Sequence, residues 1–297
     1  LIDDSLQNEL VEADDLSAVI FEKTQGNPFH VIQVIKLLYE RGMLFLDTGE
    51  KRWICQMDKV RKLDLTDNVI DVLIMSLQRL DKKLLKILQV SACIGNSFRK
   101  DYLRFIEPGE EELIEEALTR SQEEGYIQAD RDRYHFSHDR IQQAVYSLIP
   151  GEERAGMHLK IGEVLVSRWK DGADNELFDM TNQLNQGIEL VFDKGKQVEY
   201  AGLNLEAGQK ARMSSAFNSA YEYARCGIKL LNDRWEGVES IQMGLHILAA
   251  EAAYLIGRYE EVDPLLKPVK DHAKRVLDVI PADEIRIEAL KAQNMLM

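Results

Sequence analysis

The chain has 297 residues, of which 45% are hydrophobic and 30% charged, a composition that excludes a disordered or collagen-like chain. Its 37 basic and 51 acidic residues give a net charge of −14, which repels phosphate backbones and anionic lipids, so nucleic acid and membranes are not expected partners. No stretch reaches the roughly 20 apolar residues of a transmembrane helix. The start of the chain lacks a signal peptide, so we expect a cytoplasmic protein in which Leu1 continues from an upstream segment.

Residues 1–65 are predicted to form a helical lid segment with a small hairpin. An apolar stripe over residues 10–21 indicates a helix, and the turn that follows contains Gly26 and Pro28. Glycine suits the position after a helix end, and proline suits the first turn of the next helix. Gly42 ends that second helix, and a period-two pattern over residues 43–57 predicts the hairpin.

Residues 66–150 are predicted to form a winged helix-turn-helix domain. Thr66–Asn68 and Asp81 can each cap a helix, a short helix follows near residues 101–106, and residues 110–124 form a further helix. A strand pair over residues 126–137 supplies the wing, and a helix from Asp139 to Leu148 closes the unit.

Residues 151–297 are predicted to form tetratricopeptide-like helical repeats, giving a mainly α chain that ends in an α-solenoid. A shift of 42 residues aligns Ala207 with Ala249 and places Ser215 on Gly257, where a tight turn between two helices favours glycine. Pro264 and Pro268 are expected to kink the last helix or delay its start. One helix pair cannot bury its apolar face alone, so the pairs are expected to stack into a solenoid. Because the helical pattern still runs at Met297, we expect the array to continue beyond this chain.

The sequence predicts neither catalytic residues nor a metal site. The P-loop pattern, the serine nucleophile elbow, the zinc-protease helix and the kinase motifs are all missing from it. The cysteines Cys55, Cys93 and Cys226 are far apart and lack any CxxC pair, so buried thiols are predicted. We therefore expect that this chain alone turns over no substrate.

The sequence around His138 allows three interpretations of this residue. A phospho-accepting histidine, followed by an acidic residue and arginine, is disfavoured because His138 follows a predicted strand and opens a helix. A core or capping histidine remains open. The third interpretation follows from a family resemblance.

The chain resembles, over about residues 10–297, the region after the P-loop core in signal-transduction ATPases with numerous domains. This is the STAND class of AAA-related NTPases, and the likeness is to bacterial fusions of a serine/threonine kinase, such an ATPase and a sensor histidine kinase. The segments that carry the resemblance are Lys23–Phe29, Thr66–Val69, Ala92–Asn96 and His138–Ala144.

The resemblance implies that lid and winged helix close over ATP or ADP held mainly by an upstream P-loop domain. Gly26 and Pro28 match a lid motif whose proline packs on adenine. His138 and Asp139 match a motif whose histidine contacts the β-phosphate of ADP, although Ser137 replaces its methionine. Kinase modules of the same chain and a protein or small-molecule effector on the repeats are the implied partners, so the parent would be an ATPase and protein kinase.

Two other functions stay open. One is a helical-repeat scaffold without any nucleotide. The other is a winged-helix transcriptional regulator, which the sequence disfavours because residues 110–124 contain seven glutamates and one arginine, Arg120. A helix that enters the major groove needs basic side chains for phosphates and base edges.

Overall fold

The computed structural model describes residues 13–49, 52–62, 69–131, 133–168 and 174–295. These residues are mainly helical, which confirms the predicted fold class. The chain divides into two compact units, Leu1–Pro150 and Gly151–Met297. The expected cap at Thr66–Asn68 and the predicted boundary near residue 65 lie outside the described residues, so the separation of a lid from a winged helix stays a prediction.

The first helices and the hairpin of unit one share a hydrophobic cluster. They are α1 (Ala13–Thr24), α2 (Pro28–Glu40), β1 (Leu44–Asp47), β2 (Arg52–Cys55) and α3 (Met57–Lys62). Their core includes Leu16, Ile20, Leu38 and Leu44, each at most 1% exposed. The strands β1 and β2 pair antiparallel, as the period-two pattern predicts.

The rest of unit one combines helices with a small sheet. Its elements are α4 (Val69–Leu77), α5 (Lys82–Ile94), β3 (Ser97–Arg99), α6 (Lys100–Ile106), α7 (Glu111–Glu123), β4 (Ile127–Asp130), β5 (Arg133–Phe136) and α8 (Asp139–Ser147). Asp81 caps α5 as predicted, because its Oδ1 accepts a hydrogen bond from the amide of Lys83 at 2.8 Å.

The predicted two-stranded wing is a three-stranded antiparallel sheet in the order β3-β5-β4. The prediction of strands only over residues 43–57 and 126–137 is therefore wrong, because β3 lies outside both ranges. Strand β3 is only three residues long and pairs with β5, more than thirty residues away, so no local periodicity marks it. Phe98 of β3 is buried and stacks on Tyr134 with ring centroids 5.9 Å apart, which holds the third strand on the sheet.

Unit two consists of helices that pack on their neighbours in the chain. They are α9 (Gly151–Arg168), α10 (Asp174–Gln186), a short 3₁₀ turn (Ile188–Leu190), α11 (Lys194–Met213), α12 (Phe217–Leu231), α13 (Glu239–Leu255), α14 (Tyr259–His272) and α15 (Val276–Met295). Successive pairs form α9/α10, α11/α12 and α13/α14, and α15 packs on α14 and α13.

Side-chain contacts in unit two recur at the repeat length. Arg212 pairs with Glu251, 39 residues on, at 3.0 Å. The hydroxyl of Tyr223 donates to Asn182 Oδ1, 41 residues away, at 2.8 Å. Tyr221 with Glu261 and Lys229 with Glu189 are each 40 residues apart. Contacts at nearly constant separations of 39 to 41 residues, close to the predicted shift of 42, are what stacked helix pairs produce, so the packing is solenoid-like.

Two local predictions in the repeats have different outcomes. Ser215 has φ +61 and Gly257 φ +80, so both occupy the left-handed turn position that the repeat alignment assigns to them. Helix α14 begins at Tyr259 and runs through Pro264 and Pro268, so the expected delay in its start is wrong. The prediction of buried thiols is wrong for Cys55 and Cys226, which are partly exposed, and is confirmed for Cys93.

Candidate functional site

The turn between α1 and α2 places Gly26 and Pro28 as predicted. Thr24 ends α1, and its hydroxyl bonds back to the carbonyl of Ile20 at 2.8 Å. Gly26 adopts φ +74, and a Cβ there would lie 3.0 Å from the ring of Phe21, so both conformation and space favour glycine. Pro28 is exposed as the first residue of α2, where its missing amide costs no helical hydrogen bond.

His138 lies at the other predicted position, between β5 and α8, and it caps α8. Its Nδ1 accepts a hydrogen bond from the amide of Arg140 at 3.1 Å. The capping interpretation of this histidine is therefore confirmed. Because Nδ1 is the acceptor, the proton of the neutral imidazole is assigned to Nε2. Asp139, next in the chain, is exposed in the first turn of α8, where its carboxylate interacts favourably with the positive end of the helix dipole.

Ser137, which precedes His138, is tied to the sheet through its backbone. Its amide donates to the carbonyl of Tyr126 at 2.9 Å. Among the described residues, its buried hydroxyl oxygen has no hydrogen-bond partner. The backbone bond fixes the chain where β5 leads into α8, so the position of His138 is set by the sheet.

His30 connects the two predicted positions, and the sequence analysis did not identify it. It is the third residue of α2, and its amide meets Asn27 Oδ1 at 3.4 Å. Burial, and then the positive charges of Arg140 and His138, lower the pKa of His30. The start of α2 and the start of α8 are thus close enough for their charges to interact. Sequence proximity alone gives no signal for this, since the residues are more than 100 positions apart.

A polar cleft lies beside the last residue of α2, the end of α4 and the end of α7 in unit one. The open space of about 280 Å³ is lined by Glu40, Ser76, Arg79, Leu80, Arg120, Glu124 and Tyr126. Glu40 pairs with Arg79 at 2.6 Å, and Lys36 donates to the carbonyl of Glu124 at 3.0 Å. Polar bridges of this kind between partly exposed side chains hold the two sides more weakly than an apolar core does.

Tyr126 and Ser76 both line this cleft and contact each other there. Their hydroxyl oxygens are 2.6 Å apart, and Tyr126 is 4% exposed. Burial is the main cause that raises the pKa of the Tyr126 phenol, so it stays protonated near neutral pH. The phenol can therefore act in this cleft as a hydrogen-bond donor.

Buried polar groups link the helices of unit two. Asn185 and Asn204 exchange hydrogen bonds of 2.8 and 2.9 Å between α10 and α11. His158 meets Gln183 at 2.6 Å, and burial lowers the pKa of this histidine. Such paired groups satisfy each other and specify how the helices align.

The helix predicted to lie where a DNA-reading helix would be is acidic on its exposed surface. Glu111, Glu112 and Glu116 are exposed, whereas Glu115 pairs with Lys100 and Arg104. The basic groups near α7 are thus partly neutralised. Among the described residues, no group of three or more histidine, cysteine, aspartate or glutamate side chains could hold a metal ion.

None of the described helices is long and apolar enough to cross a membrane. No family model matches the chain, and no solved structure matches it.

Two curated proteins are similar to the chain. It is 27% identical over 328 aligned residues to hybrid signal transduction histidine kinase G of Dictyostelium discoideum, covering 89% of this chain and 10% of that protein. It is 24% identical over 297 residues to the peroxide stress-activated histidine kinase mak3 of Schizosaccharomyces pombe, covering 93% of this chain and 12% of that protein. The chain thus spans about a tenth of the length of these relatives.

Both similarities extend into both compact units, since neither unit alone could account for 89% of the chain. Units one and two are therefore matched together rather than as separate pieces. This places signalling kinases among the relatives, as the sequence analysis expects, whereas the ATPase class remains a prediction.

Proposed function

We propose that this chain is the regulatory and protein-interaction region of a multidomain signal-transduction protein in kinase signalling. The observation that carries this proposal is the similarity of both units together to a tenth of two large histidine kinases. The stacked helices of unit two support an interaction role, because such arrays present extended surfaces to partners. The sequence motifs of catalysis are missing from this part, which suits regulation rather than turnover.

The finer part of the proposal concerns a nucleotide. In it, the lid and the winged helix close over ATP or ADP that an upstream P-loop domain binds. The turn at Gly26 and Pro28 would meet the base, and His138 would meet a phosphate. Arg140 supports this arrangement, because it adds positive charge beside His138 at the start of α8 and interacts with His30 at the start of α2. Burial and then this charge lower the pKa of His30.

The hydrogen bonding of His138 suits contact with a phosphate. Its Nδ1 is used by the cap, so Nε2 carries the proton of the neutral ring. An N–H donor beside a phosphate oxygen makes a charge-assisted hydrogen bond, and its release would free the winged helix when the phosphate leaves. Asp139 adds a negative charge in the first turn of α8, so in this proposal the contact to the anion comes from His138 rather than from the Asp139 carboxylate.

The test compares two variants in the full-length natural protein, His138→Leu and His138→Asn. Asparagine preserves the cap, because its Oδ1 can accept from the amide of Arg140, but it removes the imidazole. A hydrogen bond to a charged group contributes about 1.5–3 kcal/mol, so we expect ADP affinity to fall roughly ten- to a hundredfold in both variants.

Isothermal titration calorimetry measures that affinity, and the thermal unfolding temperature reports the stability that the cap of α8 contributes. We expect only His138→Leu to lower thermal stability. ADP affinity unchanged in both variants would exclude the phosphate contact. A full-length protein that binds no ADP at all would favour the scaffold function, for which the solenoid-like unit two is the supporting observation.

A further inference from the structure

The polar cleft of unit one contains a hydroxyl proton that the fold does not use. Ser76 and Tyr126 line the cleft, and their hydroxyl oxygens are 2.6 Å apart. Two hydroxyl groups carry two protons, and only one of these can lie between the two oxygens. Within the described part of the chain, neither hydroxyl makes a further hydrogen bond. One O–H group is therefore left to donate to a molecule in the cleft.

The charged side chains around these hydroxyls have both signs. Three cationic and two anionic side chains line the cleft and the smaller recess that adjoins it, namely Lys36, Arg79, Arg120, Glu40 and Glu124. Arg79 pairs with Glu40 at 2.6 Å, and Arg120 pairs with Glu124 at 3.0 Å. These four side chains are between 30% and 55% exposed, so both ion pairs are weak and can open toward a ligand.

The charges decide which class of ligand the cleft accepts. A simple cation would face three cationic side chains. A simple anion would take an arginine from Glu40 or Glu124 and leave that carboxylate unpaired beside it. An uncharged molecule would compete with the ion pairs without replacing either partner. A molecule with one ammonium group and two carboxylates replaces both partners of a pair, because charge-assisted hydrogen bonds then form to the arginines and to the displaced glutamate.

We propose that this cleft binds a free dicarboxylic amino acid. Its two carboxylates bind Arg79 and Arg120, its ammonium group binds Glu40, and the hydroxyl pair donates its remaining proton to a carboxylate oxygen. The open space of about 280 Å³ lies at the lower end of the range of ligand pockets, roughly 300–1,000 Å³. That size suits an amino acid better than a nucleotide.

The amino-acid site is separate from the position proposed above for a nucleotide. Pro28 begins α2 and Glu40 ends it, so the two are about 18 Å apart along the helix at a rise of 1.5 Å per residue. The two proposals use different side chains and can succeed or fail independently.

Isothermal titration calorimetry of the full-length natural protein tests which charged groups are needed. L-Glutamate and L-aspartate have all three. Glutarate and succinate lack the ammonium group, and 4-aminobutyrate and β-alanine lack the α-carboxylate. We expect one of the two amino acids to bind with a Kd of about 1 mM or tighter, and its two matched compounds to bind at least about tenfold more weakly.

Two results of this titration would overturn the proposal. One is a Kd weaker than about 1 mM for both amino acids. The other is binding of glutarate or succinate as tight as that of the matching amino acid, which would make the cleft a site for simple anions.

Variants of the cleft locate the binding. Arg79→Gln removes one cation and should weaken binding by about ten- to a hundredfold. The pair Ser76→Ala with Tyr126→Phe removes both hydroxyl groups and should weaken it about tenfold. The matched control is Arg104→Gln, because Arg104 is similarly exposed but pairs with Glu115 outside the cleft. This control should leave the affinity unchanged.

Thermal unfolding shows that a loss of binding is not a loss of folding. Arg79 is half exposed, so Arg79→Gln should unfold close to the temperature of the parent. The amino acid should raise the unfolding temperature of the parent and of Arg104→Gln, and raise that of Arg79→Gln less. Full affinity in Arg79→Gln would assign the binding to another part of the protein and overturn the proposal.

Discussion

Two histidine side chains in this protein use Nδ1 in a contact within the fold. His138 uses Nδ1 to cap α8, and His246 places Nδ1 3.1 Å from the carbonyl of Leu265 within unit two. The consequence differs with burial. His246 is 8% exposed, and burial, aided by the charges of Arg225 and His272, lowers its pKa although the bond to Leu265 raises it.

This shift predicts that the protein loses stability as pH falls below about 6.5, the ordinary pKa of histidine. The folded pKa of His246 is lowered, so below that value the unfolded chain binds a proton that the folded chain does not. The free energy of unfolding must therefore fall with pH in this window. His158, also lowered mainly by burial, contributes in the same direction.

Urea unfolding at pH 7.5 and pH 5.5 measures the effect. In the variant His246→Gln, which does not titrate, the difference between the two pH values should be smaller than in the parent chain. A difference that is unchanged in this variant would mean that other groups carry the acid sensitivity.

At the scale of the helices, glycine sets how closely the repeats approach. Gly227 of α12 lies where a Cβ would be 2.5 Å from Leu245 Cδ2, and Leu245 is fully buried on α13. Gly202 of α11, by contrast, faces open space, because a Cβ there would meet nothing within 4 Å. The same residue type thus has a packing role at one position and none at the other.

The substitutions Gly227→Ala and Gly202→Ala should therefore have opposite effects. At Gly227 the new methyl group forces Leu245 or the helix to move, which costs about 1–3 kcal/mol. At Gly202 there is room for the methyl group, so the higher helix propensity of alanine should stabilise α11 by up to about 1 kcal/mol. Equilibrium unfolding in urea measures both. Destabilisation by Gly202→Ala, or no effect of Gly227→Ala, would contradict the packing described here.

Local signals explain which elements the sequence predicts. The turn at Gly26 and Pro28, the cap at Asp81 and the left-handed positions at Ser215 and Gly257 depend on neighbours within a few residues, and each is found where expected. Strand β3 depends on pairing with distant β5, so its three residues leave no pattern.

The candidate site follows the same rule. The motif that His138 forms with Asp139 marks it in the sequence, and its cap needs only the amide of Arg140, two residues away. His30 acquires its role from the packing of α2 near α8, which no spacing in the sequence encodes. The elements of the site were predictable, whereas their convergence was a property of the tertiary fold.

At the scale of the whole molecule, the negative charge decides which partners are excluded. The net charge is −14, and exposed glutamates at positions 111, 112 and 116 lie on α7, the helix that would enter the DNA in a winged-helix regulator. The basic residues Arg131 and Arg133 lie at the β4–β5 turn and are too few to reverse this charge. Phosphate contacts supply most of the affinity of nonspecific DNA binding, so an acidic face should abolish it.

We therefore predict that the chain does not bind a short DNA duplex more tightly than about 10⁻⁴ M, even at low ionic strength. Fluorescence anisotropy of a labelled duplex measures this. In the variant with Glu111→Gln, Glu112→Gln and Glu116→Gln the net charge is −14 + 3 = −11, still strongly negative, so binding should remain absent. Binding by the parent chain that weakens steeply with added salt would instead mean that a local basic surface outweighs the net charge, and the transcriptional-regulator alternative would then have to be preferred.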